Sequence, residues 1–509
     1  MINRPTLLVT GASGFIGRHV VAALQQRYFI HALARRSARE ARAPESENIR
    51  WHQVDIGDPA ALAKTFTAIA DSGGADYVLH LAAYYDFSGD DTPEYERTNV
   101  EGLRNVLDLC RGLKPLRFVF ASSLAASEFP AAGTVLNERS PLDGRHPYAR
   151  SKKKGEDLCA GYREHFPTVI VRLGAIYSDW CEFTPVFVFL GTWLSTSWRA
   201  RILGGKGASA LPYLHVRDSV TFFARVLEHD ETLGNGDVLI AAPEDATSHR
   251  QLFDAAHEAH TGNRVEPILV PKPVARVGMH GTDLVGRLLG ERPFERPWMA
   301  DYLDLAMRVD TSTTRQRLGW SPNPRFAILR RMPFLIENLK TDPIEWNRRN
   351  LAAMKAVHVA NHLRLFQLIE EHEDELVQAS VEHCLAPERR ASFPTYHELS
   401  REDLTWAAQQ TYLHLKNAVR TREKALFKTY CDDIARRRFA QGFSADEVVQ
   451  IIQLKHDSCV RVLLNDPRVR GLEDALHETV DMTFRLGIDQ VQDTFDELMG
   501  DLVPAEPPG

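Results

Sequence analysis

The chain has 509 residues, a length that suits two or three domains. It is 44% hydrophobic and 25% charged with a formal net charge of −7, an ordinary globular composition that excludes extended disorder, collagen-like repeats and a disulfide scaffold. Residues 1–345 carry 41 basic and 41 acidic groups against 20 and 27 in the remainder, so the acidic excess lies in the last third and no basic face suggests nucleic acid. The six cysteines, Cys110, Cys159, Cys181, Cys384, Cys431 and Cys459, show no paired spacing and read as reduced thiols of a cytoplasmic protein. The amino-terminal residues reach glycines before any signal-like apolar run develops. The most apolar long stretch, Phe183–Trp198, is interrupted by Pro185 and Gly191, so no membrane span is expected.

From residue 5 to about 175, short β-rich runs alternate with helix-length segments. The runs are Leu7–Thr10, Phe29–Ala34, Arg50–Val54, Tyr77–Leu81, Arg117–Ala121 and Val169–Leu173. This alternation predicts an α/β fold, a Rossmann-type doubly wound parallel sheet with helical crossovers. Residues 176–340 are less regular and suit a small substrate lobe, mainly 176–300, carried on the nucleotide domain. Its Phe183–Trp198 run and the amphipathic Pro273–Leu289 stretch suit either an apolar or aromatic substrate or simple core packing. Thr341-Asp342-Pro343 marks a boundary between a domain over 1–340 and a separate all-α domain over 346–509. In the latter, helical spacing dominates Leu351–Leu376, Arg401–Arg420, Ala445–Leu464 and Leu472–Leu498. Ser444 and Glu447 form a capping box.

The strongest chemical signal is Thr10-Gly11-Ala12-Ser13-Gly14-Phe15-Ile16-Gly17, between a strand and a helix. Such glycines allow a tight turn and close approach of backbone to a pyrophosphate, which the helix N-terminus then receives. This predicts dinucleotide binding. Arg35 and Arg36 follow the second strand, where an NAD site usually places an acid. A guanidinium there can grip a 2′-phosphate, which points to NADP(H), with NAD(H) the alternative if the two arginines only form a solvated loop. Asp55-Ile56, after the third strand, is placed to meet the adenine.

Tyr148 and Lys152 are four apart, on one face of a helix. A nearby ammonium favours phenolate and is expected to bring a phenol, ordinarily near ~10, toward useful range. Phe120-Ala-Ser122-Ser123 ends a strand, where a hydroxyl can donate to a substrate carbonyl. With H-L-A-A at 80–83, T-N-V-E-G at 98–102, V-R-L-G-A-I-Y at 171–177, L-H-V-R-D at 214–218 and R-L-G-W-S-P at 317–322, residues 5–340 resemble the extended short-chain dehydrogenase/reductase family. That family includes nucleotide-sugar epimerases, dehydratases and 3β-hydroxysteroid dehydrogenase-like reductases.

The resemblance implies Tyr148 as acid/base, Lys152 as its partner and ribose ligand, and Ser123 as the carbonyl-polarising hydroxyl. It implies that Gly11, Ser13, Gly14, Phe15, Ile16 and Gly17 line the pyrophosphate, and that Ala82 and Ala83 lie along the cofactor. It also implies a homodimer. One departure is Ser127-Glu128, where sugar epimerases often carry tyrosine-glycine, which weakens a sugar-nucleotide substrate. The expected activity is NADP(H)-dependent hydride transfer on a small, partly apolar carbonyl or hydroxyl compound. The alternatives are a sugar-nucleotide epimerase or dehydratase, and a redox- or metabolite-sensing regulator. The stretches at 393–404 and 437–449 are similar to the helical, globin-like sensor domain of the RsbRD type, which implies ligand sensing or a protein partner for residues 346–509. His358 and His362 have a chelating spacing but no evident third ligand, so no metal is expected.

Overall fold

The computed structural model describes residues 4–195, 198–229, 232–289, 293–353 and 361–500. The chain forms two compact units, Met1–Thr341 with Arg348–Lys355 and Asp342–Asn347 with Ala356–Gly509. The division runs through a helix, Pro343–Ala353.

The first unit is built on seven parallel strands: β1 (Thr6–Thr10), β2 (Phe29–Ala34), β3 (Ile49–Gln53), β4 (Tyr77–His80), β5 (Arg117–Ser123), β6 (Thr168–Leu173) and β7 (Asp237–Ala241). Their order is β7-β6-β5-β4-β1-β2-β3. Sequence order reverses direction between β1 and β4, and the crevice beyond the carboxyl ends of those strands is where such sheets bind ligands. The central strands are apolar because both faces are covered; Leu7, Leu8, Val9, Phe118, Val119 and Val171 are fully buried.

The crossovers are α1 (Phe15–Leu24), α2 (Pro59–Asp71), α3 (Gly102–Leu113) and α4 (Pro147–Gly161). In α2, Asp58 accepts from the amides of Ala60 and Ala61, and Pro59 occupies the first turn, a strong start signal. A one-and-a-half-turn π-helix, Tyr95–Glu101, leads into α3. Helix α4 buries Ala149, Lys152, Gly155, Glu156 and Cys159, one face at helical spacing. A Cβ at Gly155 would stand 2.5 Å from the Phe120 ring, so glycine lets α4 lie directly on β5.

A buried network fixes α4 to the strand ends. Ser122 donates to Glu156 at 2.6 Å, and Arg172 on β6 holds the same carboxylate through Nε at 3.1 Å and Nη2 at 3.0 Å. Arg172 Nη1 adds bonds to the carbonyls of Glu138 and Ser140. These bonds compensate a buried ion pair that would otherwise be costly.

The lobe holds α5 (Thr184–Trp193), α7 (His249–Thr261), α8 (Lys272–Leu289) and a short 3₁₀ segment, Pro297–Tyr302, whereas α6 (Val216–Glu228) leads into β7 and shares the sheet's core with β1 and α1. Within the apolar run, Thr184–Trp193 forms α5, with Val186, Phe187, Leu190 and Trp193 buried. Core packing therefore accounts for much of it.

The second unit is helical throughout its described residues. Its long helices are Asn361–Glu371, Glu373–Leu385, Arg401–Thr421, Ala425–Ala440, Ala445–Asn465 and Met482–Gly500, around a core that includes Tyr412, Leu415, Phe427, Leu463 and Phe484. The Ser444–Glu447 capping box is present. Of the expected helix over 351–376, residues 354–360 lie outside the described ones, and His372 interrupts the rest between Asn361–Glu371 and Glu373–Leu385. The stretch 472–498 likewise contains a short helix, a π turn at His477–Asp481 and a final helix. Helix Ala425–Ala440 ends just before Gly442, the glycine expected to close the helix that precedes the capping box. His358 lies outside the described residues. Among the described residues no cluster of three or more candidate metal ligands occurs, and no helix is long and apolar enough to cross a membrane. All six cysteines are free and buried.

Replacing Glu156 by Ala would leave the Arg172 guanidinium buried without its counter-ion. The expected loss is about 3–5 kcal/mol of stability, read as a lowered urea midpoint of the first unit.

Candidate active site

The turn after β1 is shaped by close contacts. Gly11 has φ +70°, and a Cβ there would stand 2.7 Å from the Ala82 amide nitrogen. A Cβ at Gly17 would stand 2.2 Å from the Gly11 carbonyl oxygen. Only glycine therefore brings the turn against β4 and α1 against the turn. Gly14 caps α1 without a side-chain bond, and the first turn of α1 contains no acid. The cradle is open to backbone approach, and the positive helix end has no internal carboxylate to neutralise it. These features fit a pyrophosphate, and Gly11, Gly14, Phe15, Ile16 and Gly17 stand where they would line it. Thr10 Oγ1 joins the loops by accepting from the Ala82 amide at 3.3 Å and meeting His80 Nδ1 at 3.0 Å. Burial drives His80 down to about 3, so its ring is neutral. Ala83 is exposed.

The residues expected at the adenosine end are more occupied than the sequence suggests. Arg36 reaches back to the turn, donating to the Ser13 carbonyl and to Ser13 Oγ at 3.3 Å. Burial, with the charges of Arg18 and Arg35, lowers its pKa. Arg35 is exposed at the end of β2. Asp55 accepts from the Gly57 amide at 2.9 Å and from Arg97, bonds that hold it ionised despite partial burial. Ile56 is buried against Gly102. Asp55 and Ile56 thus shape the loop wall.

At the end of β5, the Ser123 hydroxyl lies near enough to the Tyr148 phenol to favour its ionised form, and its Oγ accepts from the Ala125 amide at 3.1 Å. Lys152 is buried, donates to the Ala121 carbonyl at 2.7 Å, and stands 5.6 Å from the centroid of the Tyr148 ring. The structure brings Ser123, Tyr148 and Lys152 together. It corrects the expected electrostatics, however. Burial outweighs the Ser123 hydroxyl and pushes Tyr148 up to about 12, and it lowers Lys152 to about 8. The ammonium is directed at a carbonyl of β5 and does not pull the phenol toward neutrality.

Three supporting residues carried no role in the sequence reading. Asn99 Oδ1 accepts from the Tyr84 amide at 2.6 Å, while its Nδ2 donates to the Tyr84 carbonyl at 2.9 Å and to Ser151 Oγ at 2.8 Å. It ties the loop after β4 to α4; the T-N-V-E-G stretch was the available signal. Glu156 lies four residues beyond Lys152 on the same face and holds Arg172. His146 caps α4, accepting from the Tyr148 amide at 3.1 Å, and its ring lies 5.1 Å from that of Trp298. Around Tyr148 gather aromatic rings: Tyr85 at 4.3 Å, and Phe87 4.5 Å from Tyr85 and 5.7 Å from Phe294. Glu128, at the departure noted in the sequence, accepts from the Arg145 amide at 3.0 Å and from the Tyr302 hydroxyl at 3.2 Å. It anchors the loop that leads into α4.

A parallel sheet with a glycine cradle at its switch point has the architecture of a Rossmann-type α/β unit. Residues 7–241 match the NAD dependent epimerase/dehydratase family. UDP-glucuronate 4-epimerase 1 of Arabidopsis thaliana is 30% identical over 201 residues, covering 34% of this chain and 43% of that protein. The chain thus spans less than half the length of the first curated relatives it matches. A 3-diazoavenalumate denitrifying reductase of Streptomyces sp is 27% identical over 334 residues, covering 62% of this chain and 95% of the reductase. The crystal structure of a UDP-glucuronic acid 4-epimerase from Bacillus cereus, in complex with UDP-glucuronic acid and NAD, superposes with a TM-score of 0.51 at 19% identity, covering 66% of this chain and 99% of that one. This last likeness bears on the fold.

An elevated phenol at Tyr148 has a direct readout. In a spectrophotometric pH titration of the free protein, the wild type minus Tyr148→Phe difference should show no tyrosinate absorbance at pH ~10, the ordinary midpoint, and should gain it near 12.

Proposed function

We propose that the first unit is an NAD(P)-dependent hydride-transfer enzyme acting on a carbon that bears a hydroxyl or carbonyl. The observation that carries this reading is the convergence of Ser123, Tyr148 and Lys152 at the end of β5, beside the glycine cradle. When bound, a nicotinamide cofactor supplies or accepts the hydride and, once oxidised, brings a positive charge. Gly11, Gly14 and Gly17 give its pyrophosphate room, and the amides opening α1 receive the phosphate charge. Lys152, charged below about 8, is the donor available to its ribose.

On the substrate side, Ser123 donates to the carbonyl oxygen and Tyr148 gives that oxygen a proton. A phenol held near 12 is fully protonated at neutral pH and suits proton donation. This favours net reduction. The exposed ring of Tyr85 beside Tyr148, with Phe87 and Phe294 behind it, favours an apolar or aromatic substrate. The relationship to a reductase spanned almost end to end supports the same reading. Arg35 and Arg36, with no acid at the end of β2, support NADP(H) over NAD(H).

A second reading is epimerisation or dehydration of a sugar nucleotide, in which one substrate is oxidised and then reduced again. It is supported by the relatives named as UDP-glucuronate 4-epimerases and a dTDP-glucose 4,6-dehydratase, and NAD in the Bacillus cereus epimerase supports NAD for that case. This route needs Tyr148 to act first as a base, so the charge of the oxidised nicotinamide would have to lower the phenol. For the second unit we propose ligand sensing or partner docking, as its similarity to helical sensor domains implies.

Gly17→Val should abolish NADPH binding in a fluorescence titration, because its side chain would fill the space of the Gly11 carbonyl. Tyr148→Phe should keep the NADPH affinity and lose about 10²–10⁴-fold in kcat. Undiminished turnover in that variant would discard the assignment. Lys152 loses its proton above about 8, so the rate should fall on the alkaline side of that value, measured as kcat against pH. Stoichiometric oxidation of NADPH, measured beside NADH with carbonyl substrates and with sugar nucleotides, separates reduction from epimerisation.

A further inference from the structure

Tyr85 is a large aromatic residue left 41% exposed, although its ring lies 4.3 Å from that of Tyr148. Its backbone is nevertheless held on both sides. Asn99 accepts from the Tyr84 amide at 2.6 Å and donates to the Tyr84 carbonyl at 2.9 Å. The Tyr95 hydroxyl accepts from the Asp86 amide at 3.3 Å and donates to the Asp86 carbonyl at 3.2 Å. Tyr95 and Asn99 both belong to the π-helix Tyr95–Glu101, a rare backbone form that occurs often at functional sites. That helix pins residues 84 and 86, and Tyr85 between them. Ordering an exposed ring costs conformational freedom. A ligand that completes the contact finds that cost already met.

The surroundings of the ring narrow the ligand. Phe87 meets Tyr85 edge-on, with centroids 4.5 Å apart and planes at 64°, and Phe294 lies 5.7 Å from Phe87. Aromatic pairs gain stability beyond the area they bury, so an unsaturated ring gains more here than a saturated one. Despite partial burial, bonds from Ser88 and Tyr84 hold the Asp86 carboxylate ionised. Among the described residues it is the one charge that acts on Tyr85. An anionic ligand on this ring would therefore meet a like charge, and a neutral one would not.

We propose that the substrate is an uncharged aromatic carbonyl compound whose ring stacks on Tyr85 while its carbonyl oxygen meets Ser123 and Tyr148. Tyr85 is then a specificity-determining residue, and the π-helix is the element that positions it. The inference rests on the hydride-transfer reading for the carbonyl. It goes further in naming the ring that selects the substrate and in disfavouring sugar nucleotides, which carry phosphate charge.

The test is calorimetric titration of the full chain in excess NADP⁺, which has no hydride to give, with three ketones. They are acetophenone, its saturated counterpart cyclohexyl methyl ketone, and the anionic 4-acetylbenzoate. The wild type should bind acetophenone about two- to tenfold more tightly than the saturated ketone, and 4-acetylbenzoate more weakly than acetophenone. Tyr85→Leu, which keeps an apolar side chain without a ring, should erase the preference for acetophenone over the saturated ketone. Tyr85→Phe should retain it, which a merely structural role for Tyr85 would not produce. Equal binding of the two neutral ketones, a preference that survives Tyr85→Leu, tighter binding of 4-acetylbenzoate, or no binding at all would overturn the proposal. The expected binding pattern without any oxidation of NADPH would discard hydride transfer and leave the stacking site standing. Reduction of acetophenone with wild-type selectivity in Tyr85→Leu would do the reverse.

Discussion

The candidate site depends on one constraint, the attachment of α4 to the ends of β5 and β6. Lys152 reaches the Ala121 carbonyl, and Glu156 joins Ser122 to Arg172, so one helical face is bonded twice to the floor of the crevice. Gly155, between them, removes the side chain that would hold the helix away from Phe120. Tyr148 stands one turn ahead of Lys152 on the same helix and is thereby set beside Ser123. Side chains locked by packing and secondary bonds are what a precise constellation requires.

The same burial that fixes the geometry decides the electrostatics. Removing the phenol and the amine from water disfavours phenolate and ammonium alike, and the Ser123 hydroxyl only partly offsets this for Tyr148. The free protein therefore holds a proton at Tyr148, a state suited to donating it. A base at that position requires a further positive charge close to the ring. The two readings of the chemistry thus differ in a physical demand on one oxygen.

Much of the first unit was legible from residue patterns. The strand runs stand out because parallel strands buried on both faces are nearly uninterrupted apolar segments, and Phe29–Ala34 has the same limits in sequence and structure. Glycines 11 and 17 announce their turn because no other residue fits the contacts they make. The altered proton affinities were not legible: four-residue spacing places Lys152 near Tyr148, but the carbonyl that takes its ammonium comes from a different strand. Asn99 and Glu156 escaped assignment for the same reason, since their partners lie 15 or more residues away in the chain. In the second unit, helical spacing located Arg401–Thr421 and Ala445–Asn465 well. It missed the breaks at His372 and at the π turn, where the apolar rhythm continues through a change of backbone path.

The account stands most directly on where the nicotinamide lies. A crystal structure of the protein with NADPH should show the pyrophosphate on the amides of the Gly11–Gly17 turn, the ribose within hydrogen-bond reach of Lys152, and the nicotinamide ring facing the Tyr148 hydroxyl. A cofactor that bound elsewhere, or whose ring lay away from Tyr148 with Ser123 and Lys152 untouched, would contradict it.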